Sequence, residues 1–377
     1  MKKGIIIFLI VASFVKCTSP YKENNDNGVI IEFGKAEKAN TSLLADMDFV
    51  KLETIEHCLI DEILQIEVFD KQIYILDRFA LYVFGLDGKF IKKLQGSGNG
   101  PGEFMSPSSF WIDKNGYVLI ADMLSVRLLK YGIESFEFIE NIIMPNIVPM
   151  GFGIVPETDM FIYYFPKYST DIDIKQVFIA NKKGDIQTEL LEAMPSGRIV
   201  HGNNDNFYLM NNEIRFYPYF SNTVYTVSSD SLHIKYRLFF GGYTFPNQDF
   251  FARYEKSSDV MNELLNGNNN WIRYVILYET DKDLIVRYFI KRDHYISFYS
   301  KESGKTIHFK EEDVIDDIGI GGKFPVPVGV YENRIIGEIQ PYDFDKQQVK
   351  NNQLKEFTEG LSEEDNPILV FYNLKWE

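Results

Sequence analysis

One strand-turn-strand unit recurs along this chain of 377 residues, and its period restricts the fold more than any other feature. Each copy joins the end of an apolar or aromatic strand to a turn rich in Gly, Asp, Lys or Ser, and then to a new strand. The equivalent positions are Phe84, Tyr131, Ile179, Val227, Tyr299 and Phe371. The first three intervals between them are nearly equal, and the last two are half as long again. The shorter interval, just under 50, is typical of the four-stranded blade of a β-propeller. The six positions therefore predict an all-β, six-bladed β-propeller.

The two ends of the chain predict how the ring closes. Four strands are expected in the first blade, near 63–68, 73–76, 81–84 and 90–94. In the same register Phe371 lies on the third strand of the last blade, and the sequence stops at Glu377, one strand short. A surplus strand at 49–52 precedes the first blade. We predict that this N-terminal strand becomes the outer strand of blade six, which leaves no raw sheet edge at either terminus.

The two longer intervals contain insertions of different composition. Segment 241–270 has apolar residues near helical spacing and ends in Gly267 and an Asn run, and 341–367 places Leu354 and Phe357 on one apolar side. Both are predicted to be helical insertions. By strand order they leave the propeller on the same face as the glycine-rich loop 96–104. Long ordered loops are usually functional, so we predict that this face carries the function, although insertions that merely cap the channel remain an alternative.

The N-terminus has the pattern of an export signal. Lys2 and Lys3 precede an apolar run at 4–15 that is too short to span a bilayer, and Cys17 follows it. We expect a signal peptide at 1–16, a lipid-anchored tether at 17–45 and the propeller at 46–377. Lys16 stands where a lipoprotein signal usually has a small residue, so ordinary signal cleavage and an uncleaved anchor stay open. The expected location is the cell envelope, as an outer-membrane or periplasmic lipoprotein.

Several short motifs resemble one known family. GSGNGPGEF at 96–104 follows DGKF and precedes WID, and KLET at 51–54, IYILD at 73–77 and NPILVFYNL at 366–374 accompany it. Together they resemble the six-bladed β-propeller lipoproteins of Bacteroidota, which are related to NHL-repeat propellers. The resemblance implies the fold and the compartment. It implies no activity and no catalytic residues.

Composition and spacing argue against several classes of function. The formal net charge of −15 disfavours nucleic acid and anionic lipid, so membrane contact is expected through the lipid anchor only. The histidines are scattered, the glycine-rich loop lacks the GK[ST] ending of a phosphate-binding loop, and no GxSxG occurs. We therefore expect no metal, no cofactor and no identifiable catalytic residue. Cys58 is expected to be a buried apolar residue, and Asp77 and Asp122 to hydrogen-bond their own turns, with a ligand role as the alternative.

The predicted function is binding at the functional face. Aromatic and arginine side chains are expected to reach the channel mouth: Arg78, Phe79, Tyr168, Arg215, Tyr219, Arg253, Tyr254, Trp271 and Tyr342. We expect a monomeric binding or scaffolding module for a glycan, a peptide or an envelope protein. The alternatives are a polysaccharide lyase or hydrolase acting at the mouth, and a subunit of an outer-membrane complex.

Overall fold

The computed structural model describes residues 28–96, 98–122, 125–145, 149–165, 175–192 and 206–376. The predicted signal peptide, Cys17 and Tyr168 lie outside these residues. The chain first forms β1 (Val29–Phe33), β2 (Ala39–Asn40), a 3-10 turn (Thr41–Leu43) and β3 (Leu44–Lys51). Among the described residues, no helix has the length and apolar character needed to cross a membrane.

Blades one to three are four-stranded antiparallel sheets that follow one another along the chain. Blade one contains β4 (Gln65–Phe69), β5 (Gln72–Leu76), β6 (Ala80–Gly85) and β7 (Phe90–Gln95). Blade two contains β8 (Pro107–Asp113), β9 (Tyr117–Asp122), β10 (Arg127–Gly132) and β11 (Phe138–Ile142). Blade three contains β12 (Gly151–Ile154), β13 (Met160–Tyr164), β14 (Lys175–Asn181) and β15 (Ile186–Glu192). The predicted strands of blade one are confirmed to within two residues.

Blades four to six complete the predicted ring. Blade four contains β16 (Phe207–Met210), β17 (Glu213–Phe216), β18 (Thr223–Val227) and β19 (Leu232–Phe240). Blade five contains β20 (Ile272–Glu279), β21 (Asp283–Ile290), β22 (Asp293–Ser300) and β23 (Thr306–Lys310), followed by a 3-10 turn (Glu311–Asp313) and β24 (Val314–Ile315). Blade six contains β25 (Val326–Tyr331), β26 (Arg334–Ile339) and β27 (Ile368–Leu374). Hairpin turns between third and fourth strands use glycines at positive φ, such as Gly88 at 81° and Gly184 at 80°.

The N-terminal segment closes the ring as predicted. Strand β3 pairs antiparallel with β27, with Phe49 opposite Val370, and so becomes the outer strand of blade six. Two further contacts correct the predicted tether, which extends to residue 45. Strand β1 adds a fifth, parallel strand to blade four, with Val29 opposite Tyr236, and β2 pairs with β24. Strands of the folded body therefore already occur from Val29 onward, within the segment 17–45 that is predicted to be a tether.

The apolar core is divided among the junctions between blades. Separate clusters lie between blades one and two around Phe104, between four and five around Tyr288, between five and six around Phe298, and between six and one around Leu369. A larger cluster joins blades two to four to the first insertion. The first strands of neighbouring blades contact one another, so they surround the axis of the ring.

Both predicted insertions are helical. Segment 241–270 contains α1 (Gln248–Phe251) and α2 (Ser257–Asn266), and 341–367 contains a 3-10 turn (Pro341–Asp343) and α3 (Asn352–Thr358). Asn247 and Asn351 cap α1 and α3, because each side chain accepts a hydrogen bond from a first-turn N–H. The first insertion joins β19 to β20 and the second joins β26 to β27. Both therefore lie on the face formed by connections between blades and between second and third strands, here called the insertion face; the other turns form the hairpin face.

Candidate functional site

A polar cavity of the insertion face lies over the junction of blades five and six. It has a volume of about 530 Å³, within the usual range for small-molecule sites. The turn between β21 and β22 supplies Arg292, and the start of β22 supplies His294. The connection after β23 supplies Glu311 and Lys323, and the second insertion supplies Asp343. Three connections of one face thus converge on one cavity.

The charges in this cavity are largely paired with one another. Lys323 Nζ lies 2.8 Å from an Asp343 carboxylate oxygen, and His294 Nδ1 lies 3.3 Å from Glu311 Oε2. Asp316 holds the outer wall, because its carboxylate accepts hydrogen bonds from three successive backbone N–H groups between residues 319 and 321. The acidic run 311–317 therefore has two roles: Asp316 fixes the conformation of the loop, and Glu311 forms part of the polar wall of the cavity.

Glu338 on β26 is the carboxyl group whose ionisation is most altered near this cavity. Burial raises its pKa from 4.5 to about 7, and the opposing Arg287 guanidinium does not offset that. Three other carboxylates raise the pKa as well: those of Glu62, Glu311 and Asp343. Its only described hydrogen bond comes from Gln340 Nε2, at 3.2 Å. A group that titrates near neutrality is a common feature of functional sites.

Aromatic and guanidinium groups form the adjoining rim at blade five. The rings of Tyr274 and Phe289 stack with their centroids 4.1 Å apart. The Arg273 guanidinium lies 5.4 Å from the first centroid and 5.9 Å from the second. Arg287 Nη1 donates a hydrogen bond of 2.8 Å to the Pro327 carbonyl and so ties blade five to blade six. This rim combines a flat apolar surface with positive charge.

Four predicted site residues are on the insertion face and accessible. Phe79 and Tyr342 have relative exposures of 59% and 63%, and they are the most exposed aromatic side chains of the described chain. Arg78 is exposed beside Phe79 and pairs with Glu62 at 2.8 Å. Arg253 is exposed on the first insertion. These residues fit the predicted face, and their role in binding stays a prediction.

Other predicted residues serve the packing of the fold. Arg215 is wrongly predicted to reach the mouth: it is 3% exposed and lies between blades four and five, where Nε is 3.4 Å from Glu279. Tyr219 is buried against Tyr164. Tyr254 and Trp271 are half-buried against Phe250 and belong to the base of the first insertion.

Asp77, Asp122 and Cys58 have the structural roles expected of them. Asp77 accepts hydrogen bonds from the N–H groups of Phe79 and Ala80, within its own turn. Asp122 is buried and accepts from the Ser125 hydroxyl in its own turn, and also from the N–H groups of Met105 and Ser106 in the loop before β8. Burial raises the pKa of the Cys58 thiol to about 11, so the thiol is unreactive. In the described segments, no group of three potential metal ligands comes together.

The residues that sequence reasoning missed did carry a signal. Arg287 and Glu338 are charged residues inside otherwise apolar second strands, LIVRYFI and IIGEI. Each occupies the fifth position of its strand, in neighbouring blades. A buried charge is retained only with partners or a function, so this pattern could have identified both residues. No such signal marks Arg273 in the sequence, because its aromatic neighbours Trp271 and Tyr274 are common at the edge of any strand.

Comparison with known proteins places the fold in context. No curated protein matches the sequence significantly. A solved structure of a candidate exported protein of Bacteroides fragilis is similar, with 23% identity and a TM-score of 0.79 over 92% of this chain and 100% of that chain. A member of the DUF4221 family from Bacteroides vulgatus has 11% identity and a TM-score of 0.51 over 88% of this chain and 97% of that chain.

A family model agrees with the observed architecture. The model described as 6-bladed beta-propeller, DUF5128, matches residues 20–338, which include the N-terminal strands and most of the blades. The chain belongs to this family of 6-bladed beta-propellers.

Proposed function

We propose that this chain is an exported binding module of the cell envelope, which takes a polar ligand on its insertion face over blades five and six. The observation that carries the proposal is the convergence of three connections on one cavity near Glu338, whose pKa is raised to about 7 by burial and by carboxylates that include the cavity residues Glu311 and Asp343. A rigid scaffold that presents loops around one mouth is a common arrangement for recognition. The ligand class is a glycan, a peptide or a segment of an envelope protein.

Export is supported by sequence and by structural similarity. The charged start, the apolar run at 4–15 and Cys17 have the order of a lipoprotein signal. The similar Bacteroides fragilis protein, itself a candidate exported protein, is covered along its whole length. Lipidation of Cys17 is part of the proposal, and replacement by Ala should abolish labelling with a fatty-acid analogue.

The binding proposal is tested with a screen of purified glycans, peptidoglycan fragments and solubilised envelope fractions against the immobilised protein. We expect saturable binding that falls about tenfold or more in the double variant Phe79→Ala, Tyr342→Ala, since exposed aromatic anchors dominate such contacts. The control is Ile186→Ala, which removes a 40% exposed side chain from the hairpin face. Equal loss in the control, or none in the double variant, would refute the assignment of the face.

A second candidate function is polysaccharide cleavage at the same mouth. Glu338 favours it, because a carboxyl group that keeps its proton near neutral pH suits a general acid. Incubation with the same glycans should then release reducing or unsaturated ends, and Glu338→Gln should abolish that release. Saturable binding with no product formed would leave the binding function alone.

A further inference from the structure

Arg273 occupies an unusual position among the arginines of the described segments. It is the only one that is neither exposed nor engaged in a hydrogen bond or ion pair. Its Nε is buried without a partner, and its other contacts are the rings of Tyr274 and Phe289. Arg127, Arg215 and Arg334, by contrast, each pair with a carboxylate.

This arrangement is unfavourable for the protein alone. Burial lowers the pKa of Arg273, since desolvation opposes the charged form. A guanidinium is nevertheless always charged in proteins, so a half-buried one without an anion loses free energy. Stacking on the two rings offsets only part of that loss. Charges kept in such a state are typical of sites that are completed by a ligand.

The local backbone directs Arg273 and Tyr274 at the rim of the mouth. Both follow the first residue of β20, the innermost strand of blade five, at the end where it emerges on the insertion face. The pairing of β20 with β21 is irregular between Ile272 and Val275, so these two residues occupy a β-bulge. Bulges turn side chains away from the regular alternation of a strand, and they are frequent beside binding sites.

We propose that Arg273 is the anion-binding residue of the insertion face, and that the ligand is a saccharide carrying a carboxylate. This inference rests on the proposed binding function and specifies its substrate class. The planar guanidinium fork pairs with a carboxylate through two parallel hydrogen bonds. Exposed Tyr342 and Phe79 on the same face offer flat surfaces for sugar rings. Because the chain has a net charge of −15, an anionic ligand must be recognised locally at Arg273.

The test is calorimetric titration with trigalacturonic acid, its methyl ester, and triglutamate as an acidic peptide. We expect binding of the acid alone, reduced about tenfold or more in Arg273→Gln, the range expected for a charge-assisted hydrogen bond. Lys256→Gln is the matched control, since it removes an exposed positive charge from the first insertion on the same face, and its affinity should stay within about twofold of wild type.

Thermal unfolding separates this role from a structural one. Arg273→Gln removes an unpaired, half-buried charge, so its melting temperature should be equal to or above that of wild type. A lower melting temperature together with unchanged affinity would make Arg273 a packing residue. Should that variant fail to fold, hydrogen exchange of the wild type gives the answer, because the acid should protect residues 272–274.

Several outcomes would overturn the inference. These are equal binding of acid and ester, equal affinity of Arg273→Gln, preference for triglutamate, or no binding of the acid at all. If trigalacturonic acid does not bind while envelope fractions still bind through Phe79 and Tyr342, the proposed function stands and the ligand class is wrong. If neither trigalacturonic acid nor the envelope fractions bind, the proposed function is refuted as well.

Discussion

The two ends of strand β20 each carry a charged side chain, and the two side chains differ in whether they have partners. At the hairpin face the carboxylate of Glu279 is buried and satisfied. Four groups contact it: Lys301 Nζ at 2.7 Å, Tyr236 Oη at 2.6 Å, Tyr208 Oη at 2.9 Å and Arg215 Nε at 3.4 Å. At the insertion face Arg273 has no such partner. One end joins blades four and five, and the other is left open.

Ionisation shows the same contrast between two carboxyl groups of neighbouring blades. Burial by itself raises the pKa of both Glu279 and Glu338. Lys301 and Arg215 reverse this at Glu279, whose pKa is lowered, whereas acidic neighbours keep that of Glu338 near 7. The presence of oppositely charged partners, more than burial, therefore distinguishes a structural charge from one that is available for function.

The largest predicted effect is at the satisfied end of the strand. Glu279→Ala leaves the buried Arg215 and the half-buried Lys301 without their shared partner, so the free energy of unfolding should fall by about 3–5 kcal/mol. Urea denaturation followed by tryptophan fluorescence measures this change. Glu213→Gln is the control, because the exposed Glu213 contacts the same Arg215, and it should cost less than about 1 kcal/mol. Similar losses in both variants would remove the distinction between buried and exposed partners.

Glu338 should give an effect of opposite sign. Its pKa is 4.5 when unfolded and about 7 when folded, so between these values only the native state keeps the proton. Stability contributed by the protonated group is complete below the lower value and is lost as pH rises through the higher one. Glu338→Gln removes this pH dependence. Near pH 8 the free energy of unfolding of the variant should exceed that of wild type by up to about 3 kcal/mol.

The pH profile itself decides whether that account is right. Near pH 4 the wild type and Glu338→Gln should unfold at the same urea concentration, since both side chains are neutral there. A constant difference at every pH would show that the change comes from packing and not from ionisation.

A smaller effect is expected at Asp122, which lies on the insertion face and is nevertheless satisfied. The Ser125 hydroxyl and two backbone N–H groups donate to it, and they lower its pKa despite its burial. Asp122→Asn should cost about 1–2 kcal/mol at neutral pH. The difference should persist down to about pH 4 and disappear only as pH falls further, through the lowered pKa of the folded state. Urea titrations at neutral and acid pH measure it, and loss of ligand binding with no loss of stability would contradict this structural role.

The sequence predicted two parts of this architecture: the repeated blades and the closure of the ring. The regular period and the turn glycines indicated the blades, and the missing strand of blade six together with the surplus 49–52 indicated the closure. Strand β1 could not be predicted in this way. Its parallel pairing with β19 joins segments that lie three blades apart in the sequence, and it follows no period.

The candidate site was predicted only as a face. Strand order fixes which connections share a face, so the insertions and the accessible Phe79 and Tyr342 could be located from sequence. The environment of a single charged side chain depends on residues that are distant in the sequence, so it could not be predicted from the sequence. Arg215 meets Glu279 across a blade junction, and Arg273 meets no such carboxylate, yet both are arginines beside aromatic residues in the sequence.

Blocking each face in turn tests the central claim that the insertion face binds the ligand. In the full chain with Cys17→Ser, buried Cys58 stays unlabelled, so one cysteine introduced as Gln347→Cys on the second insertion or Lys183→Cys on the hairpin face can carry a bulky polyethylene-glycol maleimide. Binding of the envelope fraction selected in the screen is then compared before and after labelling. The account predicts that the label at 347 abolishes binding and the label on the hairpin face at 183 leaves it unchanged. Loss of binding on labelling at 183, with full binding after labelling at 347, would contradict it.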